Sequence, residues 1–533
     1  MALGLIYAAG FNGQWRVGPD SAIHVTLGKN LAQGVGYVHP TGLQDTVNPG
    51  LAYLTAATFK LFGIDRFEAI DAVMLLCSAG VLVMTFWVVR LRFDRPTAVL
   101  TVCMLGVNET FYRYGYQVLT DMPFLLGLML LLLGSELLHR RGSRVWPGAA
   151  LVALAVLVMA VFRSVVLTVL VAAVLGGVFR VIRGPGWVRY VGVTFVGLCA
   201  LIAMRLAIGV EVLMRDEVRV LGLLTDSSWA DNLHRVFMEN GLVLLTEHLP
   251  EAVFAVDFGR FVGLPLGLIL VWIGLALFRV RPLWGALVVV FLVQWLFFVT
   301  TKRYVLVLLP LLAIGWWRIG LWAEGRVSPA VARWMVLGLL ALWFGPNLVR
   351  VGCFIRGQRS RPFLAQYEDG QYAALKLVAD ELVSIAEPGD VILADPAPQL
   401  TYYTGLPVFG PATLPTFGPK RAQSVQRMRN AKRILLVGPV QDKLNERIRQ
   451  LKLRQVRVLR IVPTPMYDRQ VGYKILQMRM RSIDWERYRL RKQSHLSPGR
   501  PGNSVSGRGA AQQGDRQPDE QAGESEQPDD QTR

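Results

Sequence analysis

The chain has 533 residues, 53% of them hydrophobic, with a mean hydropathy of +0.38 and a formal charge of +19. That much apolar sequence is unusual for a soluble protein, and the cations sit between apolar runs and in the C-terminal third, a distribution that argues against a nucleic-acid binder. The four cysteines, Cys77, Cys103, Cys199 and Cys353, are scattered through apolar segments without metal-ligand spacing and read as small packing residues.

Residues 1–11 are apolar but only about half the length of a bilayer span. They have no basic start and no small-residue cleavage site, so they read as the outer half of a first span whose beginning lies outside this chain rather than as a signal peptide. Residues 12–68 form an outer loop with its own helical pattern. Asp20 stands just before a helix expected over 21–33, where an aspartate can cap free amides; that role and a chemical one are compatible. His24 lies one turn on, on the same face. The two could ligate a metal, but no third ligand is apparent, so no cofactor is required and a divalent metal has no support. A second amphipathic segment, 49–63, is expected at the membrane interface before the next span.

Apolar runs of about the length a bilayer requires then recur. They cover 69–91, 95–117, 120–138, 148–162 (short for a span), 164–182, 187–209, 260–280, 283–300, 304–322 and 331–349. None alternates as a barrel strand would. The fold expected for residues 1–350 is an all-α polytopic membrane domain of about eleven spans, the first one partial. Residues 210–258 read as another outer loop, in which Glu211, Asp216, Asp226, Trp229 and Asp231 are candidates for a substrate cleft without any being singled out by spacing.

After Arg350 the composition changes, and residues 356–490 read as a soluble α/β domain. A helix is expected near 365–386, a turn at Pro388-Gly389-Asp390, a buried strand at 391–395, and a short helix carrying Tyr402 and Tyr403. Strands follow at 407–409 and 434–438, then a helix at 441–452 and strands at 456–462 and 473–479. No Gly-rich phosphate loop follows any strand, so nucleotide binding has little support. A basic helix near 420–433 faces either lipid headgroups or solvent. The tail, 493–533, has too few apolar residues to fold.

The short cationic loops give the orientation. Arg90, Arg92 and Arg95; Arg140, Arg141 and Arg144; Arg180, Arg183 and Arg189; Arg279 and Arg281; and Arg318, Arg326 and Arg333 all fall on one side of an eleven-span count. That side is therefore cytoplasmic. Asp20, Asp121 (in Thr120-Asp121-Met122-Pro123), Arg163, Lys302, Arg303 and everything after residue 350 then lie outside. Carboxylates at a bilayer edge are costly unless they face water, a partner or a substrate. Lys302 and Arg303 break the positive-inside pattern, which marks them as functional cations; interfacial snorkelling is the open alternative.

Three landmarks in order resemble one superfamily. They are the outer-loop aspartate in GPDSAIHVTLGKNLAQGVGY, the Pro-led segment NPGLAYLTAATFKLFG, and TDMP; KRYVLVLLPLL later opens a span. This order resembles the GT-C glycosyltransferases that use polyprenyl-phosphate sugars, among them the dolichyl-phosphate-mannose-protein mannosyltransferase-like proteins and the aminoarabinose transferases. The resemblance implies an enzyme that moves a sugar, with inversion, from a polyprenyl-phosphate donor to a hydroxyl on a lipid, glycan or protein. It implies Asp20 as the catalytic base and a matching role for Asp121 and for the Arg303-Tyr304 pair. Phosphate would be gripped by Arg303 and Lys302, with Arg163 and Arg113 as weaker candidates; His24 would contact sugar or acceptor, and Tyr304 would either stack on the sugar or anchor at the membrane interface. Val47-Asn48-Pro49-Gly50 departs from the paired prolines common in relatives, which counts against aminoarabinose as the sugar. A bacterial inner membrane, with the site outside the cytoplasm, is the expected location. A transporter or lipid flippase, and a non-catalytic scaffold, are the competing readings.

Overall fold

The computed structural model describes residues 2–13, 18–42, 47–139, 145–183, 195, 197–199, 234–297, 301–324, 326–360, 375–394, 397–410, 433–439, 457–466 and 469–478. The chain divides into two compact units, Met1–Arg481 and Ser482–Arg533. The second, which contains the tail, lies outside the described residues, as do all but the last residue of the helix expected at 420–433, the helix expected at 441–452 and most of the run at 187–209.

Helix α1 (Ala2–Gly10) is held by its carbonyls: the Tyr112 hydroxyl donates to Ile6 O at 2.7 Å, the Tyr116 hydroxyl to Tyr7 O, and Arg359 Nε to Ala9 O at 3.1 Å. α2 (Pro19–Ala32) and α3 (Gly50–Phe62) pack on each other, with Gly28 lying close against Thr55 and Ala52. α3 ends at Gly63 (φ 105°), a conformation that costs glycine nothing. α4 (Phe67–Arg92) and α5 (Arg95–Val107) follow, joined by Asp94, whose side chain accepts from the Thr97 amide as an N-cap.

The single run expected over 95–117 is broken. α5 stops at Val107, and α6 (Glu109–Gly115) starts after Asn108, whose side chain accepts from Phe111 N at 2.9 Å. Asparagine competes with helix backbone in an interior and satisfies it at a cap, so it breaks here. The Asn108 amide also donates to Ala252 O (2.9 Å) and Val253 O (3.0 Å).

α7 (Asp121–Leu138), α8 (Val145–Phe162) and α9 (Val166–Arg183) continue the main core. The expected outer loop 210–258 is only partly described, and Glu211, Asp216, Asp226, Trp229 and Asp231 lie outside the described residues. Its second half is not a solvated loop. π-helical turns over Arg235–Gly241 and Leu244–His248 lead into α10 (Leu249–Phe254), and Leu244, Leu249, Ala252, Val253 and Phe254 are buried in the main core. α11 (Gly259–Ala276) lies backbone to backbone against the second of these turns. Gly263 and Gly267, one turn apart, face the carbonyls of Thr246 and Leu245 with no room for a Cβ. α12 (Pro282–Phe297), α13 (Lys302–Val305), α14 (Leu309–Glu324) and α15 (Pro329–Ser360) complete the helical layer.

Among the described residues, five helices are long and apolar enough to cross a membrane: Phe67–Arg92, Asp121–Leu138, Gly259–Arg279, Lys302–Ala323 and Pro329–Arg359. Shorter apolar helices cover Arg95–Val107, Trp146–Phe162, Val166–Phe179 and Pro282–Phe297. Leu76, Trp87, Trp272 and Trp334 stand exposed on these helices, an arrangement that suits a lipid surrounding.

A mixed sheet of order β2-β1-β3-β5-β4 follows α15: β1 (Val391–Ala394), β2 (Val408–Phe409), β3 (Ile434–Pro439), β4 (Arg457–Met466) and β5 (Arg469–Met478). β1 pairs in parallel with β2 and β3, while β5 runs antiparallel to both β3 and β4. β1 is buried at every position, as a central parallel strand requires. α16 (Leu375–Ile385), the described part of the helix expected over 365–386, covers the sheet with Leu375, Val378, Ala379 and Leu382, an apolar stripe of helical period. α17 (Ala397–Thr404) follows β1 and packs on α2. The turn before β1 has Gly389 at φ 95°, and Arg433 pairs with Asp390, Nη2 to Oδ2 at 2.7 Å.

Candidate active site

The local sequence sets the position of Asp20. Gly18 is extended, Pro19 supplies a pre-set φ at the helix start, and the Gly18 amide donates to Ser21 Oγ at 2.9 Å. Asp20 therefore sits inside the first turn of α2 and is not its cap, a correction to the expected helix start at residue 21. A carboxylate there is favoured by the free amides of that turn.

Arg303, in the opening turn of α13, joins two carboxylates that lie far away in sequence. Its Nη1 donates to Asp20 Oδ2 at 2.7 Å and its Nε to Asp121 Oδ2 at 2.8 Å. Arg163, just after α8, donates to the other oxygen of Asp121. The Arg163 guanidinium also lies over the rings of Tyr304 (5.5 Å to the centroid) and Phe124 (5.9 Å). Asp20, Asp121, Arg163, Arg303 and Tyr304 thus form one cluster at the starts of α2, α7 and α13.

The two aspartates differ in what they can still do. Asp121 is 1% exposed and has both oxygens taken by arginines. Asp20 is 61% exposed, and among the described residues its second oxygen accepts no hydrogen bond. Of these two carboxylates, Asp20 is the one that offers an exposed oxygen to an incoming group.

His24 is buried one turn below Asp20, and among the described residues its Nδ1 has no hydrogen-bond partner. Burial pushes its pKa down to about 4; Arg303 pushes the same way, while the Asp20 and Asp121 carboxylates oppose. The ring is neutral at neutral pH and offers a hydrogen bond rather than a charge. Among the described residues no group of three His, Cys, Asp or Glu side chains could hold a metal ion, so Asp20 and His24 gain no third ligand there.

Lys302 and Arg113 belong to a second cluster that the sequence did not reveal. Lys302 Nζ lies 2.8 Å from Glu251 Oε1 and 3.9 Å from Glu109 Oε2, and Arg113 Nη1 lies 3.6 Å from Glu109 Oε1. Asn347 accepts from the Glu109 amide at 2.7 Å and donates to Val253 O at 2.9 Å, and so fixes α6 against α10. The available signal was the pair Asn108-Glu109, which interrupts an apolar run; for Glu251 there was none beyond its charge.

A family model described as dolichyl-phosphate-mannose-protein mannosyltransferase matches residues 39–208, roughly a third of the chain. ArnT from Cupriavidus metallidurans, solved with undecaprenyl phosphate bound, aligns with a TM-score of 0.53 at 14% identity, over 89% of this chain and 96% of that one. The fold of this chain is similar to that of ArnT. The archaeal oligosaccharyltransferase AglB from Archaeoglobus fulgidus, in complex with an inhibitory peptide and a dolichol-phosphate, aligns at a TM-score of 0.47 and 11% identity, over 81% of this chain and 68% of that one. Among curated proteins none matches. The stretch matched by the family model, 39–208, contains Asp121 and Arg163 but neither Asp20 nor Arg303.

Proposed function

We propose that the chain transfers a sugar from a polyprenyl-phosphate donor to a hydroxyl acceptor on the extracytoplasmic face of the membrane. The observation that carries this reading is the single guanidinium of Arg303 shared by Asp20 and Asp121. It gathers a proton acceptor and phosphate-binding cations at one point. The mannosyltransferase family match and the undecaprenyl phosphate bound to ArnT support a lipid-phosphate donor. The alternation of the arginine loops supports the outer placement.

Asp20, with its free oxygen, takes the proton from the acceptor hydroxyl. The acceptor oxygen bonds to the anomeric carbon as the bond from that carbon to the phosphate oxygen breaks. The electron pair leaves with the polyprenyl phosphate, and a single in-line displacement inverts the centre. Arg303 and Arg163 neutralise the departing phosphate. Asp121, saturated by both arginines, holds them in place. Tyr304 supports Arg163 through its ring face. Lys302 and Arg113 pair with Glu251 and Glu109, away from Asp20 and Asp121, so they rank below Arg163. Neutral His24 supplies a hydrogen bond to sugar or acceptor.

Radiolabelled sugar on polyprenyl phosphate, mixed with the purified chain and membrane acceptors, tests this reading. The wild-type protein is expected to move label, and Asp20→Asn to lose about 10²–10⁴-fold in rate while keeping its unfolding temperature. Equal turnover by the two proteins rejects Asp20 as the base. Absence of transfer by the wild type from any polyprenyl-phosphate sugar rejects the activity.

A further inference from the structure

The last helical turn of α2 meets a second set of partners, at the end remote from Asp20. Lys29 Nζ lies 3.0 Å from Asp65 Oδ2, and the Tyr402 hydroxyl donates to Asp65 Oδ1 at 2.5 Å. Lys29 also stands over the Tyr402 ring, 5.1 Å from its centroid. Tyr402 comes from α17, the helix that follows the central strand of the sheet. Its ring is buried in one apolar cluster with Ala22 and Val25 of α2, Leu51 and Phe59 of α3, and Ile70 of α4. Asp65 holds a left-handed backbone (φ 65°) in the tight link between α3 and α4, which aims its carboxylate at both partners. Burial first, and then Asp65 itself, raise the Tyr402 pKa, so the hydroxyl stays a donor at any working pH.

We infer that the C-terminal sheet layer positions the catalytic helix: Tyr402, acting through Asp65 and Lys29, fixes the tilt and rotation of α2 and thereby the place of Asp20. Tyr402, Asp65 and Lys29 are positioning residues, because none of them touches the cluster at Arg303. α2 is held at both ends, at its start by Arg303 and at its end by Asp65. Asp20 and Lys29 are separated by about 13 Å of helix at 1.5 Å per residue. With the far end released, a small tilt about the Arg303 contact displaces the Asp20 oxygen, and displacements near 1 Å cost large factors in rate. Lys29 and Asp65 are 28% and 44% exposed at their side chains, so their pairing adds little global stability. Loss of the tie should therefore be read in geometry and rate, not in unfolding. This inference rests on the transferase reading for its kinetic arm only.

The test uses the full chain in detergent with two variants. Tyr402→Phe keeps the ring and removes the donated bond. Asp65→Asn keeps the backbone, since asparagine tolerates the left-handed region. Hydrogen–deuterium exchange followed peptide by peptide is expected to speed up at least about tenfold over residues 19–32 in both variants, with α4 and α7 unchanged. Transfer kcat is expected to fall about tenfold at unchanged KM for the lipid donor, with the double variant no worse than either single one. Unaltered exchange over 19–32, or a uniform rise along the whole chain, overturns the inference. If the wild type transfers no sugar, the transferase reading fails separately, and the exchange data alone decide whether the tie exists.

Discussion

Asp20 and Asp121 share Arg303 and differ in everything else they touch. Asp121 accepts from two arginines in a buried site, so its charge is spent on holding them, whereas Asp20 keeps an open oxygen. Division of labour follows from burial rather than from residue type. His24 gives the residue scale a measurable signature. Its pKa in the folded chain is about 4, against about 6.5 for an ordinary histidine. Between those values the unfolded chain binds a proton that the folded chain refuses, so stability is complete above pH 6.5 and falls as the pH drops toward 4. The contribution is on the order of 3 kcal/mol. Thermal unfolding of the wild type and of His24→Gln between pH 7.5 and 4.5 should show a component of acid sensitivity in the former that the latter lacks; parallel curves would contradict the burial of this ring as the cause.

At the scale of elements, α7 carries a charged group at each end. Asp121 opens it, and Glu136, 3% exposed, meets Arg281 ahead of α12 through Nε to Oε1 at 2.6 Å and Nη2 to Oε2 at 2.7 Å. Arg281→Ala leaves a buried carboxylate alone and should cost about 3–5 kcal/mol, while Glu136→Leu combined with Arg281→Met should recover most of that loss. Unfolding temperatures of the three proteins decide it; a double variant as unstable as Arg281→Ala would mean that the pair does more than satisfy its own charges. Elements governed by neighbours in sequence were legible beforehand. The helix at 49–63 and the turn at Gly389 with its following strand appear within a residue or two of where period and turn chemistry put them, and a short helix bearing Tyr402 follows that strand as expected. The break at Asn108 and the core role of residues 244–254 were not, because hydropathy averages across a capping residue and rates a π-helical segment with scattered charges as a loop.

For the whole molecule, part of the candidate cluster was legible, Lys302 and Arg113 were assigned to it and lie elsewhere, and its pairing was not legible. Charges at the edges of apolar runs singled out Asp20, Asp121, Arg163 and Arg303, since a bilayer edge makes each one costly. Nothing local says that Arg303 bridges partners 283 and 182 residues away, or that Lys302 turns instead to Glu251, 51 residues back. Those choices belong to the packing of α2, α7 and α13 into one corner. The proposal as a whole stands on that corner being where a lipid phosphate reacts, and a cryo-EM structure of the full chain with polyprenyl phosphate tests it most directly. The account predicts phosphate oxygens about 3 Å from the guanidiniums of Arg303 and Arg163, with the Asp20 carboxylate facing the same space. Phosphate seated away from both arginines, or beside Glu136 and Arg281 at the other end of α7, would contradict it.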